Sequence, residues 1–138
     1  MNSPSEGTEQ PPLLEGMPHY KEGLKLFGEN KHTEAIDELQ QALKLSPDWT
    51  DALHALAMVQ MQAGHLEEAV ATGQRIVELD PEDPFAHTSL SMFYQRMNRI
   101  DDAEAEAAKA RMISWKQELK DNPDAPPPGP PGSMNVKQ

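Results

Sequence analysis

Five histidines, His19, His32, His54, His65 and His87, and 23 carboxylates are the side chains of this 138-residue sequence that could hold a metal or move a proton. No two of the histidines stand three or four residues apart, so the paired-ligand spacing of a helical zinc site is missing. His54 and His87 would neighbour each other only if their segments stacked, which is too little for a metal centre. Calcium needs several carboxylates converging through a tight loop, and no such loop occurs. Cysteine is absent, which removes disulfides, thiolate ligands and thiol nucleophiles. There is no glycine-rich phosphate loop, and no Ser-His-Asp set has an oxyanion partner. The expected class is non-enzymatic, with no catalytic residues, no cofactor and no metal.

Charge narrows the partners. Twelve basic against 23 acidic residues give a formal charge of -11, and binding a phosphate backbone requires clustered Lys and Arg. Nucleic acid is therefore not expected as a partner. No apolar run approaches the roughly twenty residues that span a bilayer, and the polar, acidic first ten residues do not read as a secretory signal. A cytoplasmic protein without a membrane partner is expected.

Any binding residues have to be positioned by helices. Thirteen prolines mark the boundaries. Pro4, Pro11 and Pro12 lie at one end, and Pro123, Pro126, Pro127, Pro128, Pro130 and Pro131 at the other. Both ends are poor in apolar side chains and read as disordered tails, 1–15 and 121–138, the second Pro-rich and read as a spacer, with a docking motif for an aromatic-grooved domain as the alternative. Between them Pro18 suits a first helical turn, while Pro47, Pro81 and Pro84 separate apolar-periodic runs. Six helices are predicted near 18–29, 33–45, 50–63, 67–79, 84–97 and 101–120. No strand signal occurs. Glu34, Glu38, Glu67, Glu68, Asp101, Asp102 and Glu104 gather where alternate helices begin, the end at which carboxylates favour the helix dipole.

The helices repeat. Ala35, Ala69 and Ala103 are 34 residues apart, and so are Leu45, Leu79 and Ile113, and Pro47 and Pro81. Gly23, Ala57 and Ser91 keep the same step with small side chains. Asn30, Gly64 and Asn98 keep it with residue types that accept a left-handed backbone. A two-helix unit with this period resembles the tetratricopeptide repeat family from about residue 16 to 116. The resemblance rests on Gly23…Ala35…Ala42…Pro47, Leu56-Ala57…Ala69…Ile76…Pro81 and Leu90-Ser91…Tyr94…Ala103…Ala110. It implies an all-α solenoid of three helix-turn-helix repeats, about 16–49, 50–83 and 84–117 within a domain at 16–120, coiled as a right-handed superhelical array. Glu22 stands where the family has leucine. Gly73 stands where it has a bulky apolar residue, so looser packing is expected there.

In the family the first helix of each pair lines a concave face that holds a peptide or short helix. The resemblance carries that role to Tyr20, Leu24, His54, Met58, Phe85, Thr88 and Met92, an apolar and aromatic wall in which methionine supplies adaptable contacts. Phe27, Leu53 and Met61, at the same spacing, are read as core. Some family members grip a terminal carboxylate with Lys, Asn and Arg. The matching positions here are Tyr20, Leu24, Ala55, Phe85 and Ser89, none of them a charged or amide donor, so that clamp is not expected. The function expected is a protein-interaction module that binds an apolar peptide or amphipathic helix, as an adaptor or a small assembly or secretion chaperone. The alternative is a self-associating scaffold, a homo-oligomer stacked through Met112, Trp115 and Leu119, which the last helix leaves with little to cover them.

Overall fold

The structure, a computed structural model, describes residues 10–129. They form six helices, α1 (Gln10–Gly28), α2 (His32–Leu45), α3 (Thr50–Gln62), α4 (Leu66–Leu79), α5 (Pro84–Arg96) and α6 (Ile100–Asp121), and no strand occurs among them. The fold is all-α, of the helical-repeat class. The chain divides into two compact units, the first running to Thr72 and the second starting at Gly73.

The three turns that close the helix pairs are copies of one another. Asn30 and Asn98 both have φ of 62°, and Gly64 has 87°. At each, the residue after the left-handed position donates its N–H to the carbonyl five residues back: Lys31 to Leu26 at 2.9 Å, His65 to Gln60 at 2.8 Å and Arg99 to Tyr94 at 2.8 Å. The left-handed residue itself bonds three back, to Phe27, Met61 and Gln95 in turn. This pair of bonds is the Schellman motif, which satisfies helix-end carbonyls that would otherwise lack partners.

In the first unit Ala35, Leu39, Leu56 and Val59 form a buried cluster, with Tyr20, Leu26, Phe27 and Ile36 packed around it. Gly23 allows this approach: a Cβ there would sit 2.7 Å from Leu39 Cγ. In the second unit Ile76, Leu90, Phe93 and Ala103 are buried. Here the expectation of loose packing at Gly73 is corrected. Leu90 fills the space that the missing side chain leaves, with its Cδ2 2.8 Å from where a Cβ would stand.

The start of α1 also differs from expectation. Pro18 lies inside the helix rather than in its first turn. Pro11 and Pro12 take the first turn, where an absent N–H leaves nothing unpaired. An interior proline costs about 3 kcal/mol. The added turns pack Gly16 against α2 and Trp49, so closely that a Cβ would lie 3.3 Å from Ala42 O and from the Trp49 ring. Residues 10–15, read as tail, are thus helical. In the other tail Ala125 is buried, and 1–9 and 130–138 lie outside the described residues.

Candidate functional site

Among the described residues, the second unit carries the most exposed large apolar side chain. The Asp83 carboxylate accepts the N–H of Phe85 at 2.9 Å, and Pro84 sits in the first turn, so the start of α5 is fixed by both signals. Phe85 follows immediately and is 72% exposed. Thr88, exposed, and Met92, half-buried, follow at three and seven residues, on the same helical face. Beside them an open furrow of about 360 Å³ runs between Thr88, Ser91, Met92 and Gln95 of α5 and Ala107, Ala110 and Arg111 of α6. A second cavity of about 280 Å³ shares Thr88, Ala110 and Arg111 and continues past Ser114, Trp115 and Glu118 to Pro126 and Pro128.

Arg111 belongs to both cavities, and its Nη2 is shut off from solvent with no hydrogen-bond partner. It is not among the residues that the sequence marks for binding. A signal lies in the register: the positions 34 and 68 residues earlier hold Val77 and Leu43, so a guanidinium stands here where the repeat twice places an apolar side chain.

The first unit distributes its expected residues differently. Tyr20 stacks on Trp49, ring centroids 4.7 Å apart and planes tilted by 40°. Burial raises the Tyr20 phenol pKa, and the negative charge of Asp51 adds to the rise. Leu24 is 40% exposed, while His54 and Met58 are half-buried. Met61 and Leu53 are core, as expected, and Phe27 packs on the buried cluster.

In the second half of α6, Met112 is 40% exposed and Leu119 half-buried. Trp115 departs from the expectation of a bare end. Its indole N–H donates to Ala125 O at 2.9 Å, so the chain that follows α6 turns back over the ring.

His19 and His87 each pair with a carboxylate. His19 Nδ1 lies 2.8 Å from Glu38 Oε1, and His87 Nδ1 lies 2.6 Å from Glu106 Oε1. The two pairs are 68 residues apart, twice the repeat, and each ties the first helix of a unit to the second. The intervening repeat has Leu53 and Thr72 at these positions, and there the Thr72 hydroxyl donates to Gln60 Oε1 at 2.8 Å. Among the described residues no three His, Asp or Glu side chains gather to hold a metal, and no helix is long and apolar enough to cross a membrane.

Comparison with known proteins agrees with this geometry. Residues 26–91 match the tetratricopeptide repeat family. Over 115 residues the chain is 28% identical to "Photosystem I assembly protein Ycf3" of Synechococcus sp. (strain CC9902), covering 76% of this chain and 66% of that protein. It therefore spans just under two thirds of the length of that relative. Among solved structures, MamA superposes with a TM-score of 0.71 at 24% identity, over 75% of this chain and 60% of that one. The Yersinia enterocolitica type III secretion translocator chaperone SycD gives 0.69 at 15% identity, over 77% and 80%. YrrB, described as a protein of this repeat with an unusual peptide-binding site, gives 0.66 at 24% identity, over 79% and 52%. The 34-residue period, the copied Schellman turns and the match over residues 26–91 agree that this stretch is built of tetratricopeptide repeats, and the chain as a whole is similar to that family.

Proposed function

We propose that this chain is a protein-interaction module, an adaptor or small assembly chaperone, that takes an apolar segment of a partner protein on its first-helix faces. The observation that carries the reading is Phe85, an aromatic side chain 72% exposed at the start of α5, followed on its face by Met92 and an open furrow. A large apolar side chain left in water beside a concavity marks a docking surface, because covering it returns the hydrophobic free energy that folding left unused. In the first unit Leu24 and Met58 offer the same chemistry. The assembly role in the name of the Synechococcus relative and the chaperone role in that of SycD support the assembly variant.

A photo-crosslinking amino acid in place of Phe85 or Met92 tests this reading, with Glu104, exposed on α6, as the control position. Partner adducts are expected from 85 and 92 and not from 104. Adducts from 104 alone would place the interaction elsewhere. The second reading, a self-associating scaffold, is favoured by the exposed Met112. A protein monomeric by light scattering at high micromolar concentration removes it.

A further inference from the structure

Arg111 is a feature of the α5–α6 furrow that apolar burial does not explain. Its guanidinium is permanently charged and carries five donors in a fixed fork, yet Nη2 is buried without a partner. A charged donor removed from water and left unpaired is a standing cost, removed when a carboxylate enters and accepts from it. The position is also the one at which the earlier repeats carry Leu43 and Val77. The apolar wall beside it comes from Met92, Ala107 and Ala110, and the next charged lining residue is Glu118, farther along in the second cavity.

We infer that the furrow of the second unit selects a partner segment that is apolar but carries one acidic side chain, a Glu or Asp whose carboxylate pairs with Arg111. This rests on the interaction reading above and names the partner's chemistry. The site is separate from the terminal-carboxylate clamp considered from the sequence, whose positions here are Tyr20, Leu24, Ala55, Phe85 and Ser89. A side-chain carboxylate suits the geometry because Arg111 stands where the two cavities meet. An extended chain lying against Met92 therefore continues past the guanidinium toward Trp115 rather than ending at it. The rest of the protein is strongly acidic, so Arg111 gives an acidic segment a specific point of attraction on a surface that otherwise repels it, which makes the contact selective.

The test uses the full chain and a panel of blocked nonapeptides of alanine and leucine with one central glutamate, each with a glutamine twin. A third set has no acidic side chain and a free C-terminal carboxylate. Affinities are measured by calorimetry for the wild type, Arg111→Met, Arg111→Lys and the control Lys116→Met, which removes an exposed charge from the same helix. Wild type is expected to bind the glutamate peptide about tenfold more tightly than its twin, the scale of one charge-assisted bond. Arg111→Met should abolish that preference while still binding the glutamine twin. Arg111→Lys should retain part of it, and Lys116→Met should leave it intact. Thermal melts of each variant show whether the fold is kept. Equal affinities for the twins in wild type, with Arg111→Met unchanged, would overturn the inference and leave the furrow reading standing. A preference confined to the free-terminus set would overturn the side-chain assignment. No binding of any peptide would sink both the inference and the reading on which it rests.

Discussion

The contact at Gly73 reverses what helix propensity alone would suggest. Replacing a mid-helix glycine by alanine usually gains roughly 0.5–1 kcal/mol. Here the new Cβ would stand 2.8 Å from Leu90 Cδ2 and 3.1 Å from its Cγ, so the buried Leu90 side chain has to shift. Gly73→Ala should therefore destabilise by about 1 kcal/mol in chemical denaturation, and adding Leu90→Val should recover part of that loss. A gain in the single variant would show that Leu90 moves freely. Ala69, fully buried, is the matching case in the first unit. Ala69→Leu should cost on the order of 1–3 kcal/mol by overpacking. The His–Glu ties differ in burial. The side chains of His87 and Glu106 are 9% and 14% exposed, those of His19 and Glu38 40% and 34%. Losing a buried charged partner costs about 1–3 kcal/mol, whereas an exposed pair contributes under about 1 kcal/mol. Glu106→Ala should accordingly lower stability more than Glu38→Ala does, and equal losses would contradict the role given to burial.

At the scale of the elements, the turns are the most legible part of the sequence. Asn30, Gly64 and Asn98 are spaced by the repeat and are types that tolerate positive φ, and all three adopt it. A left-handed residue bearing a Cβ costs roughly 1–2 kcal/mol, and asparagine relieves part of this through its short polar side chain. Asn98→Ala should thus lose on the order of 1 kcal/mol and Asn98→Gly nothing, as read from thermal unfolding. The start of α1 is not legible in the same way, because proline is a local signal, whereas the packing of Gly16 against Ala42 and Trp49 depends on residues far along the chain. Trp115 differs from expectation for a related reason. The bond from its indole to Ala125 lies in a segment whose composition argues for solvation. Arg111 stands out when the repeats are aligned, but its unpaired Nη2 follows from side-chain packing, which periodicity does not encode.

For the whole molecule, the period and the spacing of small residues determine the fold class, while the interaction residues come from the family's geometry. Of these, Phe85, Thr88 and Leu24 are exposed, whereas Tyr20 is engaged with Trp49. Binding through apolar surface depends weakly on salt. A single guanidinium adds only a shallow slope, and the net charge of -11 leaves no measurable affinity for nucleic acid expected. If the end of α6 drives stacking, Trp115→Lys with Leu119→Glu should convert any oligomer to monomer with helicity intact. Persistence of the oligomer would show that stacking uses another surface. On the reading proposed above, the α5 face binds a partner and does not hold the fold together. The most direct test of this reading is calorimetric titration of a crosslinked partner segment against wild type, Phe85→Ala and Met92→Ala, with thermal unfolding of the same samples. Each substitution is predicted to weaken binding by about 1–2 kcal/mol, close to tenfold, with the larger effect at Phe85 and little change in melting temperature. Unchanged affinity in both variants, or a loss that only follows their stability, would contradict it.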